Sequence, residues 1–357
     1  MDPRYRISAE QARFYSEKYH TESERRKLKI PWYRSPLTRD QLQALNRRSD
    51  FRGFLQTGGY LGLLAITGSA AYFAAGRSAW PVVVLLFLFH GTCWAFLLNG
   101  FHELVHESVF KTRSLNKVFL RVFAFLSWQN HQQFWASHSE HHRYTLHPPD
   151  DLEVLLPIKF TLRGFLEGAI VSPVALWNSL SDTTRLAFGK LKGPWEHALF
   201  AESEAAERQR LFHWARILLV GHTTIVIVSV AMGWWLLPVV TTFAPFYGGW
   251  LFYLCNNSQH VGLKDNAPDF RLCCRTIILN PFLTFLYWHM NYHTEHHMYA
   301  AVPCYNLKKL HTLIEHDLPP CPHGLFETWR QISTILKRQK ENPTYQYVPD
   351  LPNHRIA

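Results

Sequence analysis

Two stretches of this chain have no polar face. The segments from Pro81 to Phe89 and from Ile225 to Ala231 would be apolar all the way round a helix. A surface helix of a soluble protein keeps a polar stripe, so these segments belong in a bilayer or in the core of a bundle. A bilayer core of ~30 Å is spanned by ~20 apolar residues in a helix. Two hairpins fit that length. The first runs over 54–75, turns at Gly76-Arg77-Ser78 and returns over 80–100. The second runs over 214–232, turns near Gly233 and returns over 234–255. Trp80, Trp234 and Trp235 fall at the turns, where an aromatic belt places them. The expected fold is an all-α integral membrane protein with four transmembrane helices in two hairpins. A soluble four-helix bundle is disfavoured by the missing polar faces.

Charge orients the spans. Thirteen Lys and Arg lie between Arg4 and Arg52, the first turn carries only Arg77, and the second carries none. Segments 103–212 and 255–357 carry 12 and 10. The positive-inside rule then puts both termini and the middle segment in the cytoplasm. A mean hydropathy of -0.13 requires a large water-facing part beside the spans. Segment 118–128 is too short to span and reads as an interfacial or buried helix. Segment 164–180 is similar, with Pro173 interrupting it. The charged stretch 193–210 reads as a cytosolic helix with a flanking loop. The chain thus divides into a basic N-terminal segment (1–53), a membrane domain (54–318) and a tail (319–357) rich in Pro and charge, expected to wrap a cytosolic helical cap.

The net charge of +10 suits an anionic membrane face or nucleic acid. No zinc-finger spacing and no RNP-type strand is present, so nucleic acid is not an expected partner. The six cysteines form no CxxC pair and read as reduced thiols.

The 21 histidines are strongly clustered. His102 and His106 make an HxxxH. His138, His141 and His142 make an HxxHH, and so do His293, His296 and His297. Residues three and four apart share a helix face, so each cluster aims its imidazoles at a common point. Neutral imidazole suits first-row transition metals. Eight such ligands are too many for one ion and reasonable for two. A helix running from Trp80 to His106 is ~40 Å long, which carries His102 and His106 just past the cytosolic end of the hydrocarbon core. All three clusters then meet on one side of the membrane. Transport is a weaker reading, because the spans hold His90, Asn99 and His222 but no Asp, Glu or Lys.

These three boxes, in this order and with two hairpins so placed, resemble the integral-membrane fatty acid desaturase superfamily over roughly residues 50–315. Acyl-CoA desaturases of that superfamily carry a further His, preceded four residues earlier by Asn, after the last span. Asn256-Asn-Ser-Gln-His260 stands there. The resemblance implies nine histidine ligands, with His260 as the ninth, and Asn256 approaching one metal directly or through water. It implies a di-iron site that activates O2 and removes hydrogen from an unactivated C–H bond. The third box begins with His, unlike the QxxHH of front-end desaturases. No HPGG motif of a fused cytochrome b5 is present, and no NYxEHYG motif of alkane hydroxylases. Electrons are therefore expected from a separate donor such as cytochrome b5 or a ferredoxin, drawn to a basic face.

The boxes leave the substrate open. A fatty-acyl or related lipid is the first reading, with desaturation as the reaction. Hydroxylation by the same site is the alternative, and a non-catalytic membrane metal binder is the third. Around the boxes, Glu103, Glu107, Glu140 and Glu295 are candidate acceptors for imidazole N–H groups. Asp150 and Asp151 are expected to anchor Arg or Lys. His131, His147 and His289 miss the spacing and are expected to be structural.

Overall fold

Helix starts fall where the local chemistry can cap them. The computed structural model describes residues 29–156, 160 and 162–352, so most of the basic N-terminal segment lies outside the described residues. Thr38 opens α1 (Arg39–Leu45): its hydroxyl accepts from the Gln41 amide at 3.2 Å, and the Gln41 side chain accepts from the Thr38 amide at 2.8 Å. Two otherwise unpaired donors are thereby satisfied. Ser49 opens α2 (Asp50–Ala74). Asp50 lies in its first turn, where the helix dipole favours negative charge. Its carboxylate also accepts from the amide and hydroxyl of Thr112, at 2.9 and 2.7 Å. Gly76, at φ +77°, makes the hairpin turn, and Pro81 starts α3 (Trp80–Ala95). After Phe96 the chain continues as α4 (Leu97–Val105).

The middle region folds as α5 (Arg113–Leu126), α6 (His131–Tyr144), α7 (Leu162–Ala169), α8 (Pro173–Ala187) and α9 (Gly193–Leu199). Pro173 interrupts segment 164–180 by opening α8, a position where its missing N–H costs nothing. The long α10 (Ala205–Ala231) follows. The charged residues 205–210 form its first turns, not a separate helix. The remaining helices are α11 (Trp250–Asn257), α12 (Phe270–Cys273), α13 (Pro281–Leu286), α14 (His293–Met298), α15 (Cys304–Ile314) and α16 (Gly324–Glu341). Isolated bridges occur among the described residues, but no strand.

Two helices are long and apolar enough to cross a membrane: Trp80–Val105, which joins α3 and α4, and Ala205–Ala231. Their outer faces are bare of protein. Leu85, Val220 and Ile227 are all more than 60% exposed, as lipid-facing residues would be. The expectation of four spans needs correction. Helix α2 has the length, at 25 residues, but five glycines together with Gln56, Thr57 and Thr67 dilute its apolar character. The expected fourth span, 234–255, is not a membrane helix. Residues 232–249 run through turns and a 3₁₀ turn at Ala244–Phe246, and α11 has only 8 residues. Pro238 and Pro245 cannot donate to a helix ladder. Gly248 sits at φ +69°, and a Cβ there would meet the Leu88 carbonyl oxygen at 2.5 Å. The apolar composition of this stretch reports its burial, not its helicity.

Neighbours satisfy the irregular stretch. Thr92 donates its hydroxyl to the Gly248 carbonyl at 2.9 Å, and Trp128 donates its indole N–H to the Thr242 carbonyl at 2.8 Å. His90 meets the Val240 carbonyl at 3.0 Å. His222 reaches the Phe125 carbonyl at 2.9 Å and the Thr242 hydroxyl at 3.2 Å. The histidines within the apolar helices therefore bond neighbouring backbone. The tail packs on α11 and the turn after it: Trp329 of α16 donates to the Leu254 carbonyl at 3.2 Å, and the Tyr347 amide donates to the Gly262 carbonyl at 2.8 Å.

Candidate metal centre

Four short elements carry the clustered histidines. The end of α4 supplies His102, with His106 as its C-terminal cap. Helix α6, capped by Asn130, supplies His138, His141 and His142. The turn after α11 supplies His260, and α14 supplies His293, His296 and His297. Close packing fixes their heights. A Cβ on Gly100 would lie 2.4 Å from Phe123 and 2.6 Å from Trp288, so α4 sits directly against both rings. Left-handed backbone adjoins every box: Glu107 after the first, Leu146 after the second, and Trp288 and His289 before the third. Non-glycine residues seldom adopt this conformation except where surrounding structure imposes it.

The imidazoles gather into two adjoining groups. In the first, ligand atoms of His102, His106, His138, His142 and His296 all lie within 4.8 Å of one another. In the second, His260, His293 and His297 do the same, together with the thiol of Cys274. His141 packs against the second group, with ring centroids 5.3 Å from His260 and 4.9 Å from His297. Asn256 lines the same cavity as His260 and His293. The nine sequence-expected histidines are thus brought together, and Asn256 lies along the cavity that reaches them. His131, His147 and His289 stay outside both groups.

Several Nδ1 atoms face acceptors. His138 Nδ1 lies 2.8 Å from Glu153, His141 Nδ1 2.8 Å from Asp151, and His260 Nδ1 2.7 Å from the Cys273 carbonyl. A carbonyl only accepts, so His260 carries its proton on Nδ1 and leaves Nε2 bare. Thr145 gives its hydroxyl proton to the His141 carbonyl at 2.6 Å, so it accepts from His297 Nδ1 at 3.1 Å. His297 Nε2 is bare as well. Both bare nitrogens point at His293 Nε2, at 2.9 and 3.1 Å. At most one N–H, on His293, is left for both, so the three nitrogens hold more lone pairs than protons. In the other group His296 Nε2 and His142 Nε2 meet at 3.1 Å, while the buried Nε2 atoms of His106 and His138 have no hydrogen-bond partner. Convergent lone pairs in a buried site are what a pair of transition-metal ions satisfies.

Electrostatics agree. Burial holds His138, His142, His293, His296 and His297 well below the usual imidazole range and pushes His260 down to about 3. They are neutral, which is the ligating form. His141 is the exception. Burial acts to lower it, but the Asp151 carboxylate more than offsets this and raises it. Burial also pushes Glu153 up to about 7.

The acidic partners differ from expectation. Asp151 does not anchor Arg or Lys: it holds His141, and its carboxylate also accepts from the amides of Leu146 and Glu153, at 2.8 and 2.9 Å. Glu153 was not indicated by the sequence, since it lies outside every box. Glu103 does flank the boxes as expected, 3.2 Å from His102 Nδ1 and 3.4 Å from His296 Nδ1. Glu295 bonds Thr276 and His311. Glu140 pairs with Arg143.

A cavity of about 430 Å³ reaches the centre. His102, His138, His141, His260 and His293 line it, and so do Trp94, Leu98, Phe101, Phe246 and Phe252. An apolar chain and a metal-binding group can therefore share one space. Helices α7 and α8 border it and leave Leu166, Val174 and Trp177 exposed.

Fold and site together define an all-helical, membrane-associated protein built around a two-part imidazole centre. The model of the fatty acid desaturase family matches residues 78–329, well over half of the chain, and the chain belongs to that family. No curated protein matches it.

Proposed function

We propose that this protein is an O2-dependent di-iron desaturase that introduces a C=C bond into a fatty-acyl or related lipid chain. The observation that carries the reading is the meeting of two imidazole groups with a cavity partly walled by aromatic side chains in one place. His102, His106, His138, His142 and His296 would hold one iron. His141, His260, His293 and His297 would hold the other, with Asn256 beside it. Two iron ions there supply O2 activation and the power to remove hydrogen from an unactivated carbon.

The chain's own residues do the remaining work. Asp151, Glu153, Thr145 and the Cys273 carbonyl fix the imidazole orientations through Nδ1, which keeps Nε2 aimed inward. The aromatic wall of Trp94, Phe101 and Phe252 holds a lipid chain by its apolar surface and keeps water out. Positioning decides which carbon lies at the centre. Two electrons per turnover come from a separate carrier, of cytochrome b5 or ferredoxin type, docking on the basic cytosolic face. In this reading α2 and the irregular stretch after α10 also pass through the bilayer, so that the termini and the site share the cytosolic side.

The test is expression in a host with a reductase system, followed by mass spectrometry of extracted lipids. The control carries His141→Ala and His296→Ala. A product lacking two hydrogens, absent from the control, supports desaturation and identifies the lipid class. A product gaining one oxygen replaces desaturation by hydroxylation. A chain that binds no iron overturns the reading.

A further inference from the structure

Cys274 is the one member of the second group that is not a histidine. Its Sγ lies within 4.8 Å of ligand nitrogens on His260, His293 and His297. The local backbone explains how it gets there. Helix α12, capped by Asp269, is a single turn that ends at Cys274 in extended conformation, at φ -124° and ψ 151°. The Cys273 carbonyl takes the Nδ1 proton of His260, and the next residue delivers its thiol to the same group. One dipeptide therefore serves the centre twice. The thiol is buried, and its contact with the Cys273 sulfur is long, at 3.9 Å. Thiols are weak hydrogen-bond groups, so this contact does little to hold it.

A coordinating divalent metal deprotonates a ligating thiol outright by its charge. The bare Nε2 atoms of His260 and His297 provide the independent sign that a cation belongs here.

We propose that Cys274 is a ligand of the second metal ion, beside His260, His293 and His297. The assignment rests on the two-metal reading above. The two ions then have different donor sets: imidazole alone in the first group, imidazole and thiolate in the second. On binding, the S–H bond is replaced by a sulfur–metal bond, one proton leaves to solvent, and no electron moves. The thiolate places a full negative charge on the second ion and makes it the harder of the two to reduce.

Cobalt reports this directly. The full chain, purified in detergent, is stripped with chelator and loaded with Co2+, and its bound metal and near-ultraviolet spectrum are measured. The expected result is two cobalt ions per chain and a sulfur-to-cobalt charge-transfer band. Cys274→Ser removes the band and retains cobalt in the first group, whereas Cys273→Ser keeps the band. Among the described residues no other cysteine belongs to either group, so the wild-type spectrum decides the matter even if a variant fails to fold. Two bound cobalt ions without the band overturn the assignment and leave the two-metal reading standing. A band that persists in Cys274→Ser also overturns it. A chain that binds no cobalt overturns both.

Discussion

Asp151 and His141 form a buried pair: Oδ2 lies 2.8 Å from Nδ1, and neither side chain is more than 3% exposed. The contact orients an imidazole of the second group and anchors the loop after α6, since Asp151 also receives the Leu146 amide. In Asp151→Asn the shape survives but the charge does not. Metal affinity of the second group is expected to fall ~10–100-fold, the usual effect of losing such a partner. Chelator competition measures it, and unchanged affinity would refute the orienting role.

Histidines inside and outside the groups should separate cleanly. His296→Ala removes a member of the first group, and iron content should drop by at least one ion per chain. His131 lies edge-on to Trp214, outside both groups. His131→Gln should retain the full metal content. Equal loss in both variants would mean that the boxes act through folding alone.

Acid should strip and destabilise the protein. His260, His293, His296 and His297 have folded pKa values below ~6.5, their unfolded value. As pH falls below ~6.5 the unfolded chain takes up protons that the folded one refuses. Stability is therefore full above that pH and falls below it, by up to ~1.4 kcal/mol per pH unit for each such histidine. His141, whose pKa is raised, acts in the opposite sense: its contribution is present below ~6.5 and lost as pH rises through its folded value. The several depressed groups outweigh it. Thermal unfolding of the metal-free protein between pH 7 and pH 5 should show a falling midpoint, and metal release should follow the same direction.

Cavity shape can be tested apart from metal. Ala215 lies on α10, is buried, and lines the cavity. Ala215→Leu adds bulk to that wall at a cost of ~1–3 kcal/mol in stability. The preferred lipid chain length should shorten while the iron content stays constant. An unchanged product profile would place the substrate elsewhere.

Gly100 tests the packing behind the first box. In Gly100→Ala a methyl group meets Phe123 and Trp288 at distances no real Cβ tolerates. Either the two rings or the helix carrying His102 must give way. A loss of ~1–3 kcal/mol in stability is expected, along with weaker metal binding in the first group.

Much of the centre was legible in the sequence because helical spacing converts directly into a shared face. His138 and His142 needed only that rule. His260 and Asn256 came from resemblance, since a lone histidine after an apolar run has no periodicity to betray it. The orienting groups were harder. Asp151 and Glu153 lie ten and fifteen residues from their histidines, and only the loop after α6 brings them back. Cys274 carries no spacing signal at all. The span over 234–255 misled because apolar content measures removal from water, whereas Pro238, Pro245 and Gly248 decide backbone form.

That irregular stretch also carries a consequence for assembly. A helix brings its own hydrogen-bond partners into lipid, but residues 232–249 borrow some of theirs: the Val240, Thr242 and Gly248 carbonyls meet His90, Trp128 and Thr92. Entering a bilayer alone, they would strand carbonyl groups at several kcal/mol apiece. The stretch is a dependent segment, which can settle only once Trp80–Val105 and the loop after α5 are already in place. All three of these side chains precede the stretch in the chain, so its partners are synthesised before it is.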